Sequence, residues 1–377
     1  MNPEARITVR NAGWLLLQRS LLVLSGLLFV AVVPRLTRGI GNFTVADEKK
    51  LMQLSAIVPV HNDPDHLRRC LEALRSGRRR PDEIIVVDDA STDASADVAR
   101  SLGARVISLS GAPHGPAVAR NRGAAIAQGD ILLFFDADVV VHPDTVALME
   151  HYLSVEPEVA ALFGSYDAAP PGQSLIARYK NLMHHYVHQH ACREAGTFWT
   201  GCGAIRREAF SAIGGFDESY IHPSIEDIEL GVRLRRAGYR IRLCPDVQAT
   251  HLKQWTFAGL LRADIRDRAV PWTKLIVHSR DLPNDLNLDS NSRLSALAAW
   301  AALAGTVAAL FWPWAGVGAL FALVLIAGLN AGLYRFFARC GGPLFMFGAA
   351  GLHFLYLLYS SATFAVVAAR AWLDRRP

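Results

Sequence analysis

The sequence predicts an α/β domain on a mostly parallel sheet with helices on both faces, followed by an apolar helical tail. Three observations carry that reading. Short apolar runs rich in β-branched and aromatic residues alternate with stretches at helical spacing, the pattern of parallel strands joined by crossover helices. Two of those runs stop abruptly on carboxylates, Asp88-Asp89 and Asp136-Ala137-Asp138. Uncharged stretches of membrane-spanning length gather beyond residue 290.

The 377 residues are 51% hydrophobic and only 19% charged, lean in charge for a soluble protein. The net charge of +5 comes without a lysine-rich tract or an aromatic-interleaved basic strip, so nothing points to nucleic acid. Basic residues cluster beside apolar segments instead, which suits a membrane surface. Five scattered cysteines with no C-x-x-C pair argue against a disulfide framework or zinc site and fit a reducing cytoplasm.

The elements follow in order. Residues 14–33 are apolar apart from Gln18, Arg19, Ser20, Ser25 and Gly26, and no small-residue cleavage site follows them. They read as a membrane-associated helix rather than a cleaved signal. Ser55–Val60 is a short strand left by the loop His61-Asn62-Asp63. The next helix carries Leu67, Cys70, Leu71 and Leu74 on one face. Glu83–Val87 is a buried strand, and Ser91 or Asp93 can cap the helix behind it. Arg105–Ser108 is a third strand, and Gly115–Gln128 a helix with Arg120, Asn121 and Arg122 near its start. Five consecutive apolar residues, Ile131–Phe135, form a strand buried on both faces. It ends on Asp136 and Asp138, in the place where open α/β sheets bind ligands. If the chain stays extended there, both carboxylates share a face and reach one hard cation.

The order Ile57-Val58-Pro59-Val60-His61-Asn62-Asp63, Val86-Val87-Asp88-Asp89, Ala119-Arg120-Asn121-Arg122-Gly123 and Phe134-Phe135-Asp136-Ala137-Asp138 resembles family 2 glycosyltransferases. So do Gly214-Gly215-Phe216-Asp217-Glu218 and Ile225-Glu226-Asp227-Ile228-Glu229-Leu230. The resemblance covers roughly residues 52–255 and implies the GT-A fold, a Rossmann-like nucleotide-diphospho-sugar transferase domain. It divides the chain into an N-terminal membrane-associated segment at 1–50, the transferase domain at 51–285 and membrane helices at 286–377.

The resemblance also implies roles. Val60, Asp63 and Asp89 would hold the nucleobase and ribose, with Asp136 on the ribose or acting through water. Asp138 would bind Mg²⁺ or Mn²⁺, with His251 completing the shell. Arg120, near a helix N-terminus, suits a phosphate or a uracil carbonyl, and Lys253 suits the diphosphate. Asp227 is the candidate general base of an inverting displacement. It needs to lie about 2.6–3.2 Å from the acceptor hydroxyl. Gly215, Asp217, Glu226 and Trp255 would belong to the acceptor side. Only Trp255 and Lys253 of the processive Q-x-x-R-W pattern are present. His184 and His188 stand at i, i+4, a metal-compatible spacing that lacks a partnering carboxylate motif.

In the tail, residues 294–311, 314–333 and 344–367 each have spanning length. The aromatic link Trp312-Pro313-Trp314 suits an interface. Arg335 and Arg339 fit the positive-inside rule for a transferase domain facing the cytoplasm, whereas the arginines at 370–376 do not. The expected activity is sugar transfer, from a nucleotide-diphosphate sugar such as a UDP-sugar, to a hydroxyl of a lipid- or polyprenyl-linked glycan at the inner membrane. The alternatives are a polyprenyl-phosphate acceptor, which needs no base, and nucleotidyl transfer. The latter usually carries a glycine-rich, lysine-bearing loop after the first strand, where this chain has His61-Asn62-Asp63.

Overall fold

A computed structural model describes residues 52–279 and 289–374. The expected helix at 14–33 lies outside them. The strands form one eight-stranded sheet in the order β3-β2-β1-β4-β7-β6-β8-β5. β1 (Leu54–Val60), β2 (Glu83–Asp89), β3 (Arg105–Leu109) and β4 (Ile131–Phe135) make the parallel half. β7 (Cys202–Arg206) runs antiparallel to both β4 and β6 (Val159–Tyr166). β8 (Arg240–His251) is parallel to β6, and β5 (Val139–Val141) antiparallel to β8. The sheet is mixed but mostly parallel, as the alternating pattern suggests, with only β7 and β5 running against the other six strands.

β4 sits between β1 and β7 with all five residues buried, as an uninterrupted apolar run demands. Helix α1 (Pro64–Ser76) has proline at its start and lays Leu67, Cys70, Leu71 and Leu74 on the sheet. Helices α2 (Ser95–Ser101) and α3 (Pro116–Ile126) complete the crossovers of the parallel half. Asp93 accepts from Ser95 N–H at 2.9 Å and so caps the entry to α2. Asn62 (φ 53°) and Ala90 (φ 58°), just past the ends of β1 and β2, adopt left-handed conformations. Such strain, of order 1–3 kcal/mol per residue, concentrates at ligand sites.

Helix α4 (Thr145–Val155) precedes β6, and α5 (Leu175–His190) follows it. α6 (Arg207–Ala212) and α7 (Glu226–Arg236) lie between β7 and β8. Past β8 come α8 (Phe257–Leu261), a π-helical segment at Arg262–Ala269, and α9 (Val270–Ser279).

The tail is helical where the apolar runs fall, but with other bounds: α10 (Ser290–Ala308), α11 (Ala315–Leu329) and α12 (Ala331–Leu373). Among the described residues only α12 is long and apolar enough to cross a membrane by length and composition. The 15 residues of α11 rise about 22 Å, short of a hydrocarbon core of about 30 Å. α10 opens on Ser290, Asn291, Ser292 and Arg293, which dilute its apolar content. Of the three expected spans, the one within α12 is matched among the described residues by a helix that meets both criteria. α12 breaks its helical path at Gly342 (φ 78°), beside Pro343, and Arg178 donates to the Cys340 carbonyl at 2.9 Å. Tyr179 and Leu182 of α5 pack with Leu333, Phe337, Phe345 and Ala349 of α12 in a core separate from the sheet's.

Candidate active site

The parallel strands β1, β2 and β4 bring their carboxyl ends to one side of the sheet, where a doubly wound fold opens its crevice. Val60 closes β1 in a buried position. Asp63 stands at the N-cap of α1 and accepts from His66 Nδ1 at 3.0 Å. Asp89 is buried and spends its carboxylate on the loop before α3. It accepts from His114 N–H at 2.9 and 3.0 Å, Gly115 N–H at 2.8 Å and His114 Nδ1 at 3.1 Å.

The chain turns as soon as β4 ends, with Val139 N–H donating to Asp136 O at 3.1 Å. That turn corrects the expectation that Asp136 and Asp138 share a face, which held only for an extended chain. The two carboxylates take different partners. Asp136 Oδ1 accepts from Arg120 Nη2 at 2.7 Å. Asp138 Oδ2 lies 3.3 Å from His251 Nε2.

Arg120 is buried and gives its other edge to Glu226 Oε1 at 2.8 Å. It ties α3 to the turn after β4 and to the start of α7. A guanidinium taken out of water needs such carboxylates. Its hydrogen bonds thus go to protein, away from the phosphate or uracil carbonyl expected of it. Glu226, also buried, accepts in addition from Ser224 N–H at 2.9 Å.

Burial pushes the Asp138 carboxyl up, but the hydrogen bond and charge of His251, with Lys253 and His66, outweigh it and hold the group below the usual carboxylate range. His251 is itself buried, its Nδ1 2.8 Å from Asn181 Oδ1. Nε2 faces Asp138 and donates to it; a cation taking the place of that proton would meet the Nε2 lone pair, with Nδ1–H donating to the amide oxygen. Carboxylate and imidazole form a donor pair that suits a divalent cation, and the Asn181 contact is the kind that orients a ligating histidine. Among the described residues no third histidine, cysteine or acid joins them. Substrate oxygens or water would have to complete a shell.

From His251 a stack of rings leads inward. Its imidazole lies flat on Tyr166 at 4.4 Å, Tyr166 stacks on His184 at 5.7 Å, and His184 on His188 at 5.7 Å. Trp199 meets Tyr166 and His188 edge-on. Desolvation lowers the pKa of both His184 and His188, the latter to about 4, so the pair is neutral. Beside them is a cavity of about 50 Å³, lined by His184, His188, Trp199, Asp227, Arg268 and Trp272 among others.

Asp227 lies in the first turn of α7. Oδ2 accepts from Thr200 N–H at 3.3 Å, and Oδ1 from Ile228 N–H at 2.8 Å. Burial first and the Glu226 charge second raise its pKa to about 6, against the opposing pull of Arg120, Arg268 and the Thr200 amide. A carboxyl tuned towards neutral pH is suited to accept a proton from a hydroxyl.

Of the other expected residues, Lys253 is exposed, its Nζ 4.6 Å from the Trp255 ring centre. Gly215 (φ 72°) has Asn121 Oδ1 2.6 Å from where a Cβ would stand, so no side chain fits. Asn121 bonds both the N–H and the carbonyl of Phe216 at 2.9 Å, fastening that turn to α3. Asp217 is exposed and accepts from Ser219 N–H. Tyr166, Asn181 and Arg268 were not foreseen. They stand in no motif, and only the folded chain brings them beside His251 and Asp227.

Residues 55–214 match the family model described as glycosyl transferase family 2, and residues 181–254 the one described as the N-terminal domain of galactosyltransferase. The chain is similar to the pre-mycofactocin glycosyltransferase of Mycobacterium tuberculosis, 32% identical over 219 residues, covering 54% of this chain and 44% of that protein. It is also similar to the probable glycosyltransferase YdaM of Bacillus subtilis, 26% identical over 213 residues, covering 52% and 50%. The chain spans about half the length of these curated relatives. In fold it resembles the mannosyltransferase PcManGT of Pyrobaculum calidifontis, solved with GDP-Man and Mn²⁺. The TM-score is 0.52 at 20% identity, over 94% of this chain and 98% of that one.

Proposed function

We propose that this chain, which carries the GT-A fold of the family 2 glycosyltransferase superfamily, is a membrane-associated, metal-dependent, inverting glycosyltransferase. It takes a nucleotide-diphosphate sugar, a UDP-sugar in the first instance, and transfers the sugar to a hydroxyl of a lipid-linked glycan or another membrane acceptor. The single observation that carries this reading is the pairing of two differently tuned carboxyls. Asp138, held low beside His251, is ionised and ready for a cation, while Asp227, raised to about 6, can take a proton. Environments that push two acids apart are how one site separates such roles.

Val60, Asp63, Asp89 and Asp136 would line the nucleoside side, and Lys253 the diphosphate. Asp138 and His251 would hold Mg²⁺ or Mn²⁺, which when bound neutralises the leaving diphosphate. Asp227 orients the acceptor hydroxyl and takes its proton as the new glycosidic bond forms. Gly215, Asp217, Glu226 and Trp255 belong to the acceptor side, with Glu226 acting through Arg120 and the charge it sets on Asp227. The raised Asp227 favours a hydroxyl over a polyprenyl-phosphate acceptor, because an anionic nucleophile needs no base. Helix α12 attaches the protein to the lipid surface, with the transferase domain on the cytoplasmic face.

The test is calorimetric titration of UDP and of GDP into full-length protein with and without Mn²⁺. Binding of one nucleotide should require the metal and vanish in Asp138→Ala, with a milder loss in Asp136→Ala. Metal-dependent binding that survives Asp138→Ala unchanged would remove the assignment of Asp138.

A further inference from the structure

We infer that Arg268 forms, in the cavity beside Asp227, an oxyanion subsite that reads an acidic group carried by the acceptor next to the hydroxyl that is glycosylated. The inference rests on the proposed transfer reaction and names a chemical feature of its second substrate.

Arg268 lines the same cavity as Asp227. Among the described residues one of its five N–H donors is used, Nη1 donating to His184 Nε2 at 2.9 Å. Desolvation keeps His184 neutral, so that contact orients the guanidinium without discharging it. Among the described residues Arg268 forms no ion pair, whereas the site's other arginine, Arg120, is paired at both edges. A half-buried guanidinium without a carboxylate keeps a two-pronged edge matched to a carboxylate or phosphate.

Its backbone is built to hold it. Arg268 lies in the π-helical segment, a geometry found mostly at functional sites. Two ties pin that segment. Asp264 is buried between Lys180 of α5, whose Nζ it accepts from, and Tyr359 of α12, whose hydroxyl donates at 2.6 Å. Ser224 Oγ donates to the Asp267 carbonyl at 2.9 Å. The arginine is thus set in position before any ligand arrives, and little ordering cost remains.

The cavity, about 50 Å³, has room for a small planar or tetrahedral oxyanion beside Arg268. Asp227 is ionised at neutral pH and repels an anion, so the acidic group must sit at the Arg268 end and leave the hydroxyl to Asp227. An acceptor that carries both a hydroxyl and an oxyanion meets both demands. A phosphate-linked sugar and a sugar acid share that chemistry.

Fluorine NMR can test the subsite without transfer. Full-length protein, with and without UDP and Mn²⁺, is titrated with monofluorophosphate, with trifluoroacetate and with neutral trifluoroethanol. At least one anion should bind saturably and at least tenfold better than the alcohol. Preference for fluorophosphate indicates a phosphate-bearing acceptor, and preference for trifluoroacetate a carboxylate-bearing one. Arg268→Gln, which keeps a donor for His184, should lose anion binding at least tenfold, and Arg268→Lys should fall between. Affinity for UDP with Mn²⁺ should be unchanged in both, with melting temperatures reported alongside. Anion binding within twofold of wild type in a folded Arg268→Gln protein overturns the proposal. So does a loss of UDP affinity in that variant, which would place Arg268 on the donor. Failure of wild-type protein to bind any nucleotide would instead count against the transferase reading, and the anion titration without nucleotide would still report on the subsite.

Discussion

Burial beside Glu226 sets how Asp227 responds to pH. Its carboxyl titrates near 4 when unfolded and about 6 in the native protein, so the folded state prefers the protonated form. The stability it contributes is present below about pH 4 and lost as pH rises through about 6. Above that pH the group, the proposed base, is ionised in a setting that tolerates the charge poorly. Asp227→Asn is therefore expected to melt no lower than wild type at pH 8, while turnover falls by roughly 10²–10⁴-fold. Scanning calorimetry beside initial rates checks both. Wild-type turnover at saturating donor should decline below about pH 6, a limb absent from the variant's profile. Asp138 and Asp227 were legible in the sequence because each ends or begins a regular element, where a carboxylate is either a cap or a ligand. Arg120 was visible as a residue but not in its setting. Its two partners lie 16 and 106 positions away, and no local pattern encodes them.

Helix α7 depends on two close fits. The first is the Arg120 bridge from Asp136 to Glu226. Arg120→Ala leaves the buried Glu226 carboxylate without its cation, and breaking a buried pair from one side costs about 3–5 kcal/mol. Urea unfolding should show that loss, together with a changed pH profile for turnover, since Glu226 sits beside Asp227. The second fit is Gly231. A Cβ there would stand 2.2 Å from Phe198 N and 2.5 Å from Thr197 C, both backbone atoms that cannot turn aside. Gly231→Ala should destabilise by about 1–3 kcal/mol and move the Thr197–Trp199 wall of the cavity, which tryptophan fluorescence would register. Nothing in the sequence marks this glycine, because the contact joins a helix to a segment about thirty residues earlier. Strands β1 to β4, by contrast, were readable from apolar runs alone. The sheet's second half was not, since strand direction depends on connections whose length and composition look ordinary.

At the scale of the molecule, packed side chains among the described residues join the domain that carries the crevice to the apolar tail. Tyr179, Leu182 and Leu260 meet Leu333, Phe337 and Phe345 in a core of their own, and Asp264 ties to Tyr359 across the same seam. Truncation after Ser279 should bare that face and give protein that aggregates on size-exclusion chromatography, whereas full-length protein should stay with membranes through alkaline carbonate. Apolar runs in the tail were plain in the sequence. That among the described residues only α12 is both long and apolar enough to span was not, because helix ends at 308, 315 and 329 are set by packing and turns rather than by hydropathy. The account's central claim is that Asp138 and Asp227 serve one transfer reaction on a nucleotide sugar. Its most direct test is the release of nucleoside diphosphate from a panel of nucleotide sugars, by full-length protein in lipid nanodiscs. The account predicts release from at least one donor only with Mg²⁺ or Mn²⁺, abolished in Asp138→Ala and about 10²–10⁴-fold slower in folded Asp227→Asn. Release that needs no metal, or that proceeds at near-normal rate in both variants, would contradict it.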